Sequence, residues 1–146
     1  MAATAQDLGG VVSVARNRKA GFDVAIQDTW EAGLMLTGDE IKSIRAGRVQ
    51  LIGGYVRILN EGPVVLGIHL SLAKNPDRVR KLLLSKKEIE KLDSALRVKG
   101  KIAVPLDIHY KHGWAKLTIG IGVGRKAHDK RELLKKRDLD RQLSRQ

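Results

Sequence analysis

The chain has 146 residues, the length of one ordinary domain, and 42% of them are hydrophobic, which is enough for a packed core. Its 28 Lys and Arg against 16 Asp and Glu give a net charge of +12, which favours a polyphosphate partner such as nucleic acid. No apolar run approaches the roughly 18 residues of a membrane span, and the lack of cysteine excludes disulfides, thiolate zinc sites and cysteine nucleophiles.

The N-terminal residues are small and polar. They lack the basic start, apolar stretch and cleavage site of a secretory signal, so we expect a cytoplasmic protein. Residues 1–15 predict a flexible leader ahead of the basic cluster Arg16-Asn17-Arg18-Lys19, with structure beginning near Phe22. The alternation of apolar and polar residues from Phe22 to Ile26 then predicts a half-buried strand.

A helix start is encoded in Thr37-Gly38-Asp39-Glu40, which has the spacing of a capping box. The helix should end at Gly47, where a left-handed residue is needed. Capping accounts for Glu40, and the adjacent Asp39 and Glu40 cannot share one helix face as an acid/base pair.

A hairpin is predicted in the next segment by its turn residues. Gly53-Gly54 suits a bulge or sharp bend in a strand that reaches Ile58. The residues Asn60-Glu61-Gly62-Pro63 form a turn, and Val64–Ile68 is the returning strand. Lys74–Arg80 reads as a polar loop.

A second capping box, Ser85-Lys86-Lys87-Glu88, predicts an amphipathic helix that ends at Gly100. Strands over Ile102–Tyr110 and Trp114–Val123 follow, joined by a tight turn in which Gly113 takes the left-handed position. The order, mostly strands with two short helices, predicts a mainly β fold: a closed or partly closed antiparallel barrel with flanking helices.

The composition changes after Gly124. Residues 125–146 hold nine Lys or Arg against four Asp or Glu, and four Leu are their only large apolar residues. Such a tail cannot form a core, but it lacks Gly and Pro, and Leu139 and Leu143 lie one helical turn apart. We expect a barrel over residues 16–124 and a basic tail that is disordered alone and helical against a partner.

No catalytic residue, metal or cofactor is predicted. The histidines do not assemble, and His109 and His112 read as two exposed side chains near a turn. With Asp107 they could instead ligate the metal of a small nuclease, which is the enzymatic alternative. Glycines at positions 120, 122 and 124 alternate within a strand, which indicates close backbone approach rather than a phosphate-binding loop.

The aromatic residues also limit the kind of nucleic-acid binding. Only five are present, and they are scattered rather than arranged as platforms for stacked bases. A basic surface that is poor in aromatics favours recognition of folded RNA through phosphates, ribose hydroxyls and shape. One function that fits this surface is general binding of structured or ribosomal RNA, and it is the alternative among RNA-binding proteins.

Motifs in six places narrow this class by their order and spacing. They are Asn17–Ala20, Glu31–Leu34, Leu36–Gly47, Arg80–Leu84, Val104–Leu106 and Gly124–Arg131. Together they resemble the small protein B family, the partners of transfer-messenger RNA in bacterial ribosome rescue. The resemblance implies a barrel of the oligonucleotide-binding (OB) type that binds the tRNA-like domain of this RNA near its elbow and brings it to stalled ribosomes.

The resemblance also implies a set of RNA-binding residues. They are Asn17, Arg18, Lys19, Glu31, Lys42, Arg45, Lys81, Leu83, Gly124, Arg125 and Lys126. Because a carboxylate repels phosphate, a role for Glu31 implies a hydrogen bond to a base or ribose donor. The alternative for Leu83 is a core residue within the apolar run Leu82–Leu84.

For the tail, the resemblance implies a helix that enters the empty mRNA channel of the small ribosomal subunit next to the decoding centre and senses that the channel is empty. The matching signature is His128, Asp129, Lys130 and Arg131, with His128 placed to stack on a ribosomal base. Elongation factor Tu would take part only indirectly, through the RNA. We expect a monomer with no membrane partner.

Overall fold

The computed structural model describes residues 11–144. Its strands are β1 Val11–Arg16, β2 Val24–Leu34, β3 Val49–Gln50, β4 Tyr55–Leu59, β5 Gly62–Leu66, β6 His69–Leu70, β7 Arg80–Leu83, β8 Lys101–Lys111 and β9 Trp114–Gly124. Its helices are α1 Ala20–Asp23, α2 Gly38–Arg45, α3 Lys86–Arg97 and α4 Ala127–Ser144. Within these residues, no helix is long and apolar enough to cross a membrane.

Seven strands form one antiparallel sheet in the order β1-β8-β4-β5-β7-β2-β9. Strand β9 pairs with β8 as well as with β2, so the pairings run in a circuit and the sheet curls on itself. Strands β3 and β6 form a separate small sheet. The predicted fold class, mainly β, antiparallel and OB-like with flanking helices, is confirmed.

The core lies inside the curled sheet. Ile108 of β8 and Leu117 and Ile119 of β9 are fully buried there, at the alternate positions that face inwards. Ile44 of α2 and Leu92 of α3 belong to the same cluster, so the two longer helices of the body contribute to this core. Each such side chain stabilises the fold by about 1.5–3 kcal/mol, and the sheet that carries the candidate site is therefore firmly supported.

Both predicted capping boxes are confirmed. Glu40 accepts a hydrogen bond from the Thr37 N–H over 2.9 Å at the start of α2, and Glu88 accepts one from the Ser85 N–H over 3.0 Å at the start of α3. The predicted glycines that follow these helices both have left-handed φ: Gly47 at +71° and Gly100 at +85°.

The two predicted hairpins are also present. Strands β4 and β5 pair from Tyr55 opposite Leu66 to Leu59 opposite Gly62. Strands β8 and β9 are joined at a turn where both His112, at φ +52°, and Gly113, at φ +82°, are left-handed. Two consecutive positive φ values match the twist of the flanking strands, which keeps this turn tight.

One of the three alternating glycines of β9, Gly122, is a site of close backbone approach, as predicted, whereas the neighbours of Gly120 are side chains. A Cβ on Gly122 would lie 2.0 Å from the Ala25 carbonyl oxygen, and one on Gly120 would lie 2.8 Å from a methyl carbon of Leu106. The prediction is wrong for Gly124, where the nearest atom is 3.7 Å from such a Cβ, an ordinary contact.

The start of the fold differs from the prediction. Residues 11–16 form strand β1 rather than part of a flexible leader, and residues 1–10 lie outside the described part of the chain. Strand β1 pairs with residues 107–111 of β8. Strand β4 pairs with the same edge of β8 only near Ala103, so the rest of that edge is available to β1. Three of these six residues are valine, a β-branched residue that is enriched in strands, and this was the local signal that the prediction missed.

Phe22 is not in a strand, contrary to the prediction. Its N–H donates to the Lys19 carbonyl over 3.0 Å within the single turn of α1. The Asn17 side chain accepts the Ala20 N–H over 3.2 Å, which favours a helical turn at this point. Strand β2 begins only at Val24 and continues to Leu34, much further than predicted.

Two predictions in the middle of the chain are also wrong. Arg80 does not end a polar loop; it begins β7 and is fully buried, because Glu40 and nearby carbonyls satisfy its guanidinium. Gly53-Gly54 does not bend one strand. It forms a turn between β3 and β4, closed by the Gly54 N–H donating to the Leu51 carbonyl over 2.9 Å.

The tail is helical over residues 127–144, where we expected disorder in the isolated chain. No Gly or Pro interrupts this segment, and the Asp129 carboxylate accepts the Lys126 N–H over 3.3 Å at the helix start. The entry of this helix into the mRNA channel of the ribosome stays a prediction.

Candidate RNA-binding surface

Glu31 stands on the outer face of β2, and its side chain is 39% exposed. Its Oε2 lies 2.9 Å from Nε2 of His109, and its Oε1 lies 3.6 Å from Nζ of Lys111. The hydrogen bond with His109 lowers the pKa of Glu31, and the charges of Lys111 and Lys116 act in the same direction against the opposing effect of burial. The carboxylate is therefore held in its ionised form.

His109 was expected to be an exposed side chain near a turn, and this prediction is wrong. Only 10% of its side chain is exposed. Its Nδ1 lies 2.7 Å from Oδ1 of Asp107, and that oxygen also accepts a hydrogen bond from the Thr118 hydroxyl over 3.0 Å. The ring is buried because carboxylates on both sides satisfy its two nitrogens.

Leu83 lies on the same outer face, where β7 pairs with β2. It is opposite Gly33, two residues from Glu31, and it is 51% exposed. The alternative that Leu83 is a core residue is therefore wrong, whereas its neighbour Leu82 is buried at 4% exposure. A Cβ on Gly33 would lie 3.1 Å from the Leu83 Cβ, so the glycine leaves room for this leucine.

Lysines and further carboxylates border this pair of residues. Lys81 is on the same face of β7 as Leu83, and it is exposed with only a 4.0 Å ion pair to Glu61. A groove next to Glu31 is lined by Asp28, Thr29 and Trp30 of β2 and by Glu88 and Lys91 of α3. The structure thus brings Glu31, Leu83 and Lys81 together, as an apolar and acidic centre with a basic margin. We call this set the β2–β7 face.

A second group of predicted residues meets at the other end of β2. Gly124 pairs with Val24, so Arg125 and Lys126 follow directly beside α1, and the Arg125 N–H donates to the Asp23 carbonyl over 2.8 Å. Arg18 and Lys19 precede α1 and are both exposed. These four cations, Arg18, Lys19, Arg125 and Lys126, form the α1 basic patch, which is separated from Glu31 by seven residues of β2.

Asn17 has a different environment from its basic neighbours, because its side chain is buried. Its Nδ2 donates to the carbonyls of Pro105 and Leu51 over 3.0 Å and 3.3 Å, and its Oδ1 accepts the Ala20 N–H. This amide uses its hydrogen bonds to hold the start of α1 against β8.

Lys42 and Arg45 both lie on α2 and are exposed, as expected of phosphate contacts. Arg45 is close enough to Tyr110 of β8 for its charge to lower the pKa of that phenol, although burial has the larger effect and raises it. This places Arg45 beside the ring of Tyr110, whose side chain points to the opposite face of β8 from His109 and Lys111.

The tail contacts the body through α1. Lys130 Nζ lies 3.0 Å from Asp23 Oδ1, and the cations of Lys130 and Arg137 lie 5.8 Å and 5.9 Å from the centre of the Phe22 ring. Asp129 and Arg131 are exposed, and nothing is described for the His128 side chain. Lys130 therefore faces α1, at the other end of β2 from Glu31.

The enzymatic alternative needs Asp107, His109 and His112 to come together as metal ligands. Among residues 11–144, no group of three or more His, Cys, Asp or Glu could hold a metal ion. His109 and Asp107 are hydrogen-bonded to each other, and His112 is in the turn beyond β8. The sequence had shown Asp107, His109 and Lys111 at alternate positions of one strand, which was the available signal that they share a face.

Comparisons with known proteins agree with this picture. The family model described as SmpB protein matches residues 14–146. The SsrA-binding protein of Leuconostoc mesenteroides is 47% identical over 139 residues and covers 90% of each chain. The SsrA-binding protein of Lactobacillus delbrueckii subsp. bulgaricus is 48% identical over 90% of this chain and 91% of its own.

The fold has a solved counterpart. A structure described as "tmRNA-SmpB: a journey to the center of the bacterial ribosome" contains a chain that is 34% identical, with a TM-score of 0.67. The superposition covers 82% of this chain and 93% of that one. Because the family model matches nearly the whole sequence, the chain belongs to the SmpB family.

Proposed function

We propose that this protein binds the tRNA-like domain of transfer-messenger RNA and delivers it to stalled ribosomes, acting in the cytoplasm as a noncatalytic adaptor. The observation that carries the proposal is the β2–β7 face, where a fixed carboxylate stands beside an exposed leucine within a basic margin. Relatives named for SsrA binding and a structural neighbour described with tmRNA and the ribosome support the choice of partner.

Glu31 supplies selectivity in this proposal. Its ionised carboxylate repels phosphate, so it accepts instead from a base amino or imino group or from a ribose hydroxyl. Leu83, exposed two residues along the paired strand, packs against an unstacked base or a sugar. A regular RNA duplex offers ribose hydroxyls to Glu31 but keeps its bases stacked, so Leu83 is the residue that favours a folded RNA with unstacked bases.

The basic residues supply affinity. Lys81 lies on the β2–β7 face and Lys42 and Arg45 are exposed on α2, while the α1 basic patch adds Arg18, Lys19, Arg125 and Lys126 at the far end of β2. Two separated groups of cations suit a folded RNA that bends around the barrel. Each phosphate that they neutralise adds about 0.7 to 0.9 to the slope of log affinity against log salt.

The tail contributes ribosome binding rather than RNA affinity. Helix α4 presents Leu134, Leu139 and Leu143 to solvent together with its many cations. Such a helix suits a groove with an apolar strip and anionic walls, and an mRNA channel lined by ribosomal RNA offers the anionic walls. An occupied channel has no room for the helix, so tail docking reports that the channel is empty.

The test of the RNA-binding surface is a titration at physiological salt against the tRNA-like domain, with excess unrelated folded RNA present. Wild type is compared with Glu31→Gln and with Glu90→Gln, a matched change of an exposed glutamate on α3. We expect Glu31→Gln to weaken binding about tenfold and Glu90→Gln to leave it unchanged. Equal competition by any folded RNA would indicate a general structured-RNA binder instead.

The test of the tail is peptide tagging in a reconstituted translation system stalled on truncated mRNA. A chain that ends at Lys126 should retain binding to the tRNA-like domain but lose tagging. Leu139→Asp with Leu143→Asp should have the same effect, because it removes the exposed apolar strip, whereas Gln142→Ala in the same turn should tag normally. Tagging that survives truncation would contradict the proposed role of the tail.

A further inference from the structure

Both ring nitrogens of His109 face carboxylate oxygens. Nε2 faces the Glu31 carboxylate at 2.9 Å and Nδ1 faces the Asp107 carboxylate at 2.7 Å. Only the imidazolium form, with a proton on each nitrogen, can donate to both at once. Each ring nitrogen thus faces a carboxylate oxygen, and a hydrogen bond to a carboxylate is charge-assisted.

Neighbouring side chains hold the carboxylates of Asp107 and Glu31 in place. Asp107 also accepts from the Thr118 hydroxyl, so its carboxylate cannot turn away from the imidazole. The other charged groups facing the cluster are Lys111 on β8, 3.6 Å from Glu31, and Lys116, which is opposite His109 on β9. Side chains from β2, β8 and β9 thus hold the His109 ring in one orientation. The ring in turn holds Oε2 of Glu31 through a hydrogen bond.

The consequence for Glu31 is that its orientation is set before any RNA arrives. A glutamate on an exposed strand face ordinarily loses rotamer freedom when it binds a ligand, and this loss lowers its affinity. Here Oε2 is already bound to His109, and the carboxylate keeps Oε1 directed towards Lys111 and solvent. Preorganisation of this kind raises affinity without adding a contact.

We infer that His109 is a positioning residue for RNA recognition: from beneath the β2–β7 face, and held by Asp107 and Thr118, it presents the Glu31 carboxylate to the RNA donor. The inference rests on the proposed function of Glu31 and deepens it. His109 need not touch the RNA, since its ring is largely buried.

The experiment is a double-substitution cycle on the full chain. His109→Phe keeps the ring volume and removes both N–H donors, and we expect it to weaken binding to the tRNA-like domain about tenfold, as loss of a charge-assisted hydrogen bond does. His109→Gln, which retains one amide donor, should recover part of this loss. In the Glu31→Gln background, His109→Phe should cause no further loss, because its effect passes through Glu31.

A readout without RNA makes the result independent of the partner. The Glu31 carboxyl carbon is followed by NMR during acid titration, and its pKa should rise towards the ordinary value in His109→Phe and in neither wild type nor Glu90→Gln. Thermal melts identify any variant that fails to fold, and Asp107→Asn serves as a milder second variant that should also weaken RNA binding.

The failures of the two ideas are distinguishable. An unchanged RNA affinity in Glu31→Gln would contradict the proposed function at this surface and the inference with it. A Glu31 titration that is unaffected by His109→Phe, or an affinity loss that adds fully to that of Glu31→Gln, would overturn the positioning role alone.

Discussion

Arg80 donates a hydrogen bond from Nε to Oε2 of Glu40 over 2.5 Å, and both side chains are buried. Arg78 joins the pair from the adjacent loop by donating to the same carboxylate over 2.5 Å and 3.1 Å. The remaining donors of Arg80 reach the carbonyls of Ile68 and Asn75. One carboxylate therefore ties α2, β7 and the loop before β7 together.

Glu40→Gln should destabilise the fold by about 3–5 kcal/mol, because it leaves the Arg80 cation buried without its counter-charge. The measurement is urea unfolding at neutral pH, followed by far-ultraviolet circular dichroism. Glu90→Gln, an exposed carboxylate on α3, is the control and should change the unfolding free energy by no more than about 0.5 kcal/mol. Equal changes for the two variants would contradict the account.

The pH dependence of stability should also involve Glu40. Burial raises its pKa, but hydrogen bonds from Arg78, the Thr37 N–H and Arg80 outweigh burial and lower it from 4.5 to about 2. Because the folded-state pKa is depressed, the stability that Glu40 contributes is present above about pH 4.5 and is lost as the pH falls towards 2. The size of this contribution is about 3 kcal/mol.

The measurement is the unfolding free energy of wild type and Glu40→Gln at a series of pH values from 7 to 2. The difference between the two proteins should be constant above about pH 5 and should shrink through the window between 4.5 and 2. A difference that stays the same down to pH 2 would show that ionisation of Glu40 does not contribute.

Leu82 and Leu83 are adjacent in sequence but lie on opposite faces of β7, so they should respond differently to truncation. Leu82→Ala should destabilise the fold by about 2–5 kcal/mol, since the side chain is buried in the core. Leu83→Ala should leave stability within about 0.5 kcal/mol and weaken binding to the tRNA-like domain severalfold. Thermal melts and the competition titration measure the two effects separately, and each variant is the control for the other.

Gly122 and Gly124 form a second matched pair, two residues apart on β9. Gly122→Ala should destabilise the fold by about 3 kcal/mol or more, because the new methyl group would meet the Ala25 backbone carbonyl and force β2 and β9 apart. Gly124→Ala has ordinary space and should be within about 0.5 kcal/mol of wild type. Urea unfolding of both variants decides the matter, and similar losses would contradict the close approach at Gly122.

The features that sequence predicted correctly have their chemistry within a few residues. The capping boxes at Thr37 and Ser85 and the turn at Gly113 depend on neighbouring side chains and local φ values, so they can be read without the fold. The motif order identified the family and, with it, Glu31 and Leu83, which the structure brings onto one face.

The features that sequence reasoning missed depend on strand register between distant segments. Glu40 and Arg80 are 40 residues apart, and Glu31 and His109 are 78 residues apart. The alternation of Asp107, His109 and Lys111 was visible, but whether this row faces solvent or another strand depends on the pairing of β8, β9 and β2. The sequence therefore predicts surface positions for Arg80 and His109, which their distant carboxylate partners allow to be buried.

A substitution of Asn17 tests whether this residue binds RNA directly or supports the fold. Its motif match predicts an RNA contact, yet its amide is buried and donates to the carbonyls of Leu51 and Pro105 while accepting the Ala20 N–H. Asn17→Ala leaves these three groups without their partner, and we expect a loss of about 2–3 kcal/mol in the free energy of unfolding.

The RNA affinity of Asn17→Ala should be measured well below its melting temperature, where the variant is folded. We expect a smaller loss than for Glu31→Gln, because Arg18 and Lys19 keep their exposed cations even when α1 is less firmly held. The loss should fall mainly on the salt-dependent part of binding, since the α1 basic patch contributes phosphate contacts. A tenfold loss of affinity with unchanged stability would show instead that the Asn17 amide leaves its internal partners and binds the RNA directly.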